Sequence, residues 1–169
     1  TLRAHFGDLS GVRVAYVGDF NNVARSLALA AAYTGVDFVV ASPPEYAPTA
    51  LDVDRIGSLG GTITVTDRPE EAAKGANAVY TDVWISMGQE AEADERRRAF
   101  EGFNVTGELL EGCDDDAIFL HCLPAVRGEE VDADVIDGPH SAVFEQAANR
   151  LAAARGALWW LADPTGALS

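Results

Sequence analysis

Five short runs of consecutive apolar residues punctuate the chain, at 12–18, 37–41, 62–66, 78–81 and 116–121. They are rich in valine, isoleucine and aromatics and lack the polar alternation of a strand with one wet face, so each predicts a strand buried on both sides. Helix-forming sequence separates them. Residues 24–33 are alanine- and leucine-rich and end at Gly35, and Pro69 opens a short helix over 69–75, where its missing amide costs nothing. Ser42-Pro43-Pro44 stops the second strand, and a polar stretch headed by Pro48 runs to Gly60-Gly61. A loop at 82–90 leads into an arginine-rich segment at 94–101, and a long helix over 141–162 closes the chain. Strands alternating with helices predict an α/β fold, a three-layer doubly wound domain with a mostly parallel sheet of about five strands. The 169 residues suit one domain.

Three predicted strand ends carry polar residues: Gly18-Asp19-Phe20-Asn21-Asn22 after the first, Asp82 to Gly88 after the fourth, and His121-Cys122-Leu123-Pro124 after the fifth. In a doubly wound sheet these loops share one edge, where ligands collect. Each has more than one reading. The first lacks two glycines of a dinucleotide fingerprint, so Asn22 either meets a ligand or caps the next helix. In the second, Asp82 and Ser86 are close enough on a turn to hold one ammonium, and the amides of 86–88 can face a carboxylate. The alternative is an Asx-type turn with Trp84 in the core. Cys122 can be a nucleophile, a metal ligand, a polar contact or an inert buried thiol. Its neighbour His121 points to the opposite side of an extended strand, which weakens a Cys-His dyad. His5 and His140 lack supporting spacing for a metal site, so neither metal nor cofactor is expected.

Charge narrows the partners. Asp and Glu total 27 against 12 Lys and Arg, a net charge of −15. Only Lys74 is lysine. A surface this acidic excludes nucleic acid, whose phosphates need a basic patch. Dispersed acids point to adaptation to high salt, with recruitment of a cationic substrate as the other explanation. Cys113 and Cys122 form no disulfide framework. With no apolar leader and no apolar run of membrane length, a cytoplasmic location is expected.

H-C-L-P at 121–124, D-x-W-x-S-M-G at 82–88, G-D-x-N-N at 18–22 and Phe144-Glu145-Gln146-Ala147-Ala148-Asn149-Arg150 occur in an order and spacing that resemble the ornithine carbamoyltransferases. The continuation Ala125-Val126-Arg127-Gly128-Glu129-Glu130-Val131 is similar to the microbial form. The resemblance spans essentially all of 1–169 and implies the ornithine-binding half of that enzyme. The phosphate-gripping S-x-R-T-R and H-P-x-Q motifs belong to an amino-terminal domain that this sequence does not include.

The resemblance implies transfer of a carbamoyl group from carbamoyl phosphate to the δ-amine of L-ornithine. Asn22 and the Met87 backbone would hold the ornithine carboxylate, and Asp82 and Ser86 its α-ammonium. Cys122 would lie beside the reacting amine, the Leu123 carbonyl would accept from the carbamoyl NH₂, and Arg150 would donate to carbamoyl phosphate. His121 would serve as structural support. Phe20 stands where the family often has glycine, which calls the shape of that loop into question. The helix at 141–162 would contact the missing domain, a homotrimer or larger assembly is implied, and the chain alone is expected to be inactive. A transcarbamylase using putrescine or an acylated ornithine, or a nucleotide-binding module, is the competing reading.

If the acidity reflects salt adaptation, the urea midpoint rises between low and multimolar salt; a level or falling midpoint removes that explanation.

Overall fold

The structure, a computed structural model, describes residues 1–163; residues 164–169 of the expected domain lie outside that description. Five strands, β1 (Arg13–Val17), β2 (Asp37–Ala41), β3 (Ile63–Thr66), β4 (Ala78–Thr81) and β5 (Ile118–His121), form one sheet. Their order is β3-β2-β1-β4-β5, and every neighbouring pair is parallel. The helices are α1 (Leu2–Phe6), α2 (Asn22–Thr34), α3 (Ala50–Ser58), α4 (Pro69–Ala73), α5 (Ala93–Ala99), α6 (Gly107–Glu111), α7 (Ala133–Ile136) and α8 (Val143–Ala162). The expected strands are all present, one or two residues shorter at some ends, where pairing gives way to turns. Among the described residues, no helix is long and apolar enough to cross a membrane.

The twofold periodicity of the strands divides their side chains between two cores. Val14, Tyr16, Phe38, Val40, Tyr80 and Leu120 face the side covered by α2 and α3, whose Ala24, Ala28 and Ile56 are buried against them. Ala15, Val17, Val39, Val79 and Phe119 face Ala72, Phe100, Leu109, Val135 and Ile136 on the other. Burial on both faces explains the apolar runs of β1, β2, β4 and β5. The expectation of a buried strand fails for β3, which lies at the sheet edge with Thr64 and Val65 exposed and none of its residues fully buried.

Helices α1, α3, α6 and α7 lie outside the sequence expectation, and α5 falls on the segment read only as arginine-rich. The signal for α3 was present as Thr49-x-x-Asp52. The Thr49 hydroxyl accepts from the Asp52 amide, and Asp52 Oδ2 accepts from the Thr49 amide at 3.0 Å, a reciprocal capping box. Arg25 Nε donates to Asp52 Oδ1 at 2.6 Å and ties α3 to α2. Helices α1, α6 and α7 span only four or five residues each, too short for helical periodicity to show.

The chain winds outward from β1 to β3, then α4 carries it back so that β4 lies on the other side of β1. Loops leaving β1 and β4 therefore turn to opposite faces and open a crevice between them. Val17, Thr81 and His121 pair across β1, β4 and β5, so the three polar strand ends finish level. The Thr81 hydroxyl donates to the Val17 carbonyl at 2.6 Å and fixes the seam. Segment 140–142 covers the outer edge of β5, with Phe119 N donating to His140 O at 2.8 Å and Ala142 N to Phe119 O at 2.9 Å. From there α8 begins, two residues later than expected. Only Val143 in it is buried, and all of 151–162 is exposed, including Leu158, Trp159, Trp160 and Leu161.

The hydrogen bond from Arg25, with those from Thr49, holds the Asp52 carboxyl down to about 2. A carboxyl lowered below its unfolded value of about 4 stabilises the fold above that pH, and the stabilisation is lost as pH falls toward 2. Asp52→Asn is therefore expected to lower the urea midpoint at pH 6, by about 1 kcal/mol of capping stability, and to converge with wild type near pH 2. Parallel curves across that range would contradict this role.

Candidate functional site at the strand-order reversal

Gly18 opens the first loop with φ 135°, and a Cβ there would lie 3.4 Å from Thr81 Oγ1. Only glycine combines that backbone with that approach. Phe20, by contrast, has no positive φ. Its ring is buried, with the Arg25 guanidinium 5.7 Å from the ring centre, so it fits the loop without left-handed backbone. Asn21, not Asn22, caps α2: its Oδ1 accepts from the Val23 and Ala24 amides at 2.9 and 3.1 Å. The reading of Asn22 as the cap is thus corrected by one residue. Extended backbone at Asn21 makes it the N-cap and puts Asn22 inside the first turn, exposed.

Asn21 Nδ2 donates to Asp82 Oδ2 at 2.9 Å. Asp82 is 7% exposed, and its Oδ1 accepts from the Val83 amide at 2.9 Å and from the Cys122 thiol at 3.1 Å. A carboxylate has about four acceptor positions, so three donors leave one on Oδ2 for a ligand. Trp84 also lies in the core, stacked on Phe100 with ring centres 5.6 Å apart. The core position expected for Trp84 is thus present, and the same turn carries the Asp82 carboxylate to the end of the β1–β4 seam beside Asn21 and Cys122.

Cys122 sits among hydrogen-bonded side chains. Gln146 of α8 donates to the Tyr80 hydroxyl at 3.0 Å, and the thiol donates to Asp82 at 3.1 Å, while Tyr80 acts on the thiol in the sense opposite to Asp82 and pulls it down. Burial, and then Asp82, push the Cys122 thiol up to about 12, so it is protonated at neutral pH. Gln146 Oε1 also accepts the His121 amide at 3.1 Å. His121 itself turns away from Cys122: its Nδ1 accepts from the Leu123 amide at 2.9 Å, leaving Nε2 to donate to Glu130 at 3.2 Å. Glu130 is fully buried, and its Oε1 also accepts from Val126 N at 2.7 Å. His121 and Glu130 thereby brace the turn at 121–130. Leu123 stands at φ 58°, before a cis bond to Pro124.

Asp82, His121 and Cys122 place three potential ligand atoms within 4.8 Å of one another. Both His121 nitrogens are already engaged, so the trio fits a hydrogen-bond network better than a metal. Ser86 and Asp82 share no hydrogen bond. The Ser86 and Gly88 amides are taken by Gln89 Oε1 and Glu90 Oε1 at 3.0 and 3.1 Å, while the Met87 amide between them makes none among the described residues. Arg150 is exposed and lines a groove of about 740 Å³ with Cys122, Leu123, Pro124 and Phe144.

A residue outside the sequence expectation, Arg96, lies under both loops. It is 6% exposed and donates through Nη1 to Asp19 Oδ2 at 2.9 Å and to the Trp84 carbonyl at 3.0 Å. In sequence it is one of three consecutive arginines and reads as solvated surface. The clue is its spacing of four from the buried Phe100 at the end of α5, which places it on the same helical face. Tyr80, Gln146 and Glu130 carried no such clue; strand register and turn geometry place them.

A doubly wound α/β domain with a buried carboxylate and a half-buried thiol at its switch point is a ligand-binding domain of the open-sheet class. Residues 10–161 match the family described as aspartate/ornithine carbamoyltransferase, Asp/Orn binding domain, and the chain belongs to it. It is 52% identical to an ornithine carbamoyltransferase of Acidothermus cellulolyticus, over 98% of this chain and 54% of that protein. A second, from Symbiobacterium thermophilum, is 54% identical over 89% of this chain and 50% of its own. The solved ornithine carbamoyltransferase from Pyrococcus furiosus superposes with a TM-score of 0.82 at 47% identity, covering 89% of this chain and 49% of that one. The chain spans about half the length of the curated relatives it matches.

Since Asp82 raises the thiol, Asp82→Asn in a Cys113→Ser background is expected to speed alkylation of Cys122 at pH 8–9 about tenfold for each unit recovered. An unchanged or slower rate would show that Asp82 does not control the thiol.

Proposed function

We propose that this chain supplies the ornithine-binding half of a site that transfers a carbamoyl group from carbamoyl phosphate to the δ-amine of L-ornithine, giving L-citrulline and phosphate. The observation that carries the reading is the 3.1 Å contact between a buried carboxylate and a protonated thiol at the strand-order reversal, in a chain of this family. The open acceptor position on Asp82 suits the α-ammonium, with Ser86 beside it on the same loop. Asn22, exposed at the start of α2, and the Met87 amide, which has no partner among the described residues, suit the carboxylate. Beyond them Cys122 meets the δ-amine, the Leu123 carbonyl accepts from the carbamoyl NH₂, and Arg150 lies across the groove to receive carbamoyl phosphate.

The δ-ammonium must lose a proton before its nitrogen can attack. A protonated thiol is not a free base, but its sulfur can accept that proton as its own passes to Asp82 Oδ1. The outcome is a neutral amine, a neutral thiol and a neutral carboxyl, with no charge created in the buried site. The amine then adds to the carbamoyl carbon, and Arg150 stabilises charge on the developing oxyanion and the departing phosphate. Carbamoyl phosphate also needs groups from an amino-terminal domain, against which the exposed face of α8 packs. The enzyme works as a homo-oligomer in the cytoplasm and takes part in arginine metabolism. The D-x-W-x-S-M-G loop favours ornithine over putrescine or an acylated ornithine, since it offers partners to both ends of a free α-amino acid.

Calorimetric titration is expected to show L-ornithine binding to this chain, tightened by an added amino-terminal domain, with putrescine binding more weakly. Removing the charge-assisted contact in Asp82→Ala should weaken ornithine roughly tenfold to a hundredfold. No ornithine binding in either setting, or citrulline formation by the chain alone, would overturn the reading.

A further inference from the structure

Arg96 is a buried cation that the transfer chemistry does not use. Its guanidinium touches segments from three strand ends at once. Asp19 follows β1, Trp84 follows β4, and Tyr46, which follows β2, lies with its ring centre 4.9 Å from the guanidinium carbon. The Tyr46 carbonyl in turn accepts the Phe20 amide at 3.0 Å, closing a ring of contacts back to the first loop. Glu92 contacts Nε at 3.3 Å from one turn earlier on the same helical segment.

We propose that Arg96 is a positioning residue that fixes the Asp19–Asn22 and Asp82–Gly88 loops against each other and so sets selectivity for the amino-acid substrate; this rests on the ornithine reading above. Two physical features support it. The guanidinium spreads its donors over two nitrogens, Nη1 to Asp19 and the Trp84 carbonyl and Nε to Glu92, with its carbon 4.9 Å from the Tyr46 ring centre, a fork that the single nitrogen of an ammonium does not reproduce. Its charge also offsets Asp19, a second buried acid beside the crevice, whose carboxyl burial pushes upward and Arg96 pulls back down. With Asp19 answered, Asp82 is the acid that presents its charge to an incoming ammonium.

The test compares wild type, Arg96→Lys and Arg96→Met by hydrogen exchange, thermal melting and titration with L-ornithine and putrescine. In Arg96→Met, amide exchange is expected to rise at least tenfold at 18–22 and 82–90 while β2 and β3 stay protected. The preference for ornithine over putrescine should collapse by a similar factor, with Arg96→Lys intermediate. Unchanged loop exchange, or a preference that survives in a folded Arg96→Met, overturns the proposal. So does a rise in exchange spread evenly over the whole sheet, which would make Arg96 an ordinary core residue. A wild-type chain that fails to bind ornithine refutes the functional reading instead, and loop exchange then decides the coupling alone.

Discussion

A charged carboxylate buried at the seam between β1 and β4 is tolerable only if the chain supplies donors for it, because desolvating an unpaired ion costs several kcal/mol. Asp82 collects those donors from three separate strand ends: Asn21 after β1, the Val83 amide after β4 and the thiol of Cys122 after β5. The level register of Val17, Thr81 and His121 makes this possible, since a one-residue slip in either pairing would carry a donor to the wrong face. Much of the polar architecture around the crevice answers this one requirement. Arg96 does for Asp19 what Asn21 and Cys122 do for Asp82.

The division between what sequence shows and what only the fold shows follows from the range of the interactions. Strands buried on both faces leave a local record, because nearly every residue in the run must be apolar, which made β1, β2, β4 and β5 legible. The edge strand β3 was legible instead from its β-branched residues, although its exposure was not. Helices of four or five residues leave almost none. Asn21 and Asn22 are indistinguishable by composition, and only the backbone angles at the start of α2 decide which one caps. Arg96 is harder again, since its partners lie 77 and 12 residues away. Its flanking arginines are exposed or half-exposed and disguise it. Asp82 and Cys122 were legible as candidates, but not the 3.1 Å bond between them or its direction.

The surroundings of that thiol are held from a distance. Gln146 donates to the Tyr80 hydroxyl and accepts the amide of His121, the residue before Cys122, so one side chain ties β4 and β5 together beside the sulfur. Gln146 sits on α8, which is anchored over its first two turns by His5 to Glu145 and Asn149 to Thr1, each at 2.9 Å, before running out exposed. The strand ends that place Cys122 against Asp82 are therefore tied to the seating of a helix whose far end has no cover within the described residues.

Glu90 adds a different constraint. Its own amide and the Gly88 amide, the latter at 3.1 Å, hold its pKa below the usual carboxylate range. One residue earlier the Met87 amide has no partner among the described residues. In the proposed reading a ligand carboxylate taken by that open amide would lie one residue from the carboxylate that Glu90 has already placed on the turn, and like charges repel. An anion with nothing else to offer would gain little there, whereas a molecule that also brings an ammonium to Asp82 would recover the cost, so the turn would favour a zwitterion over a simple anion.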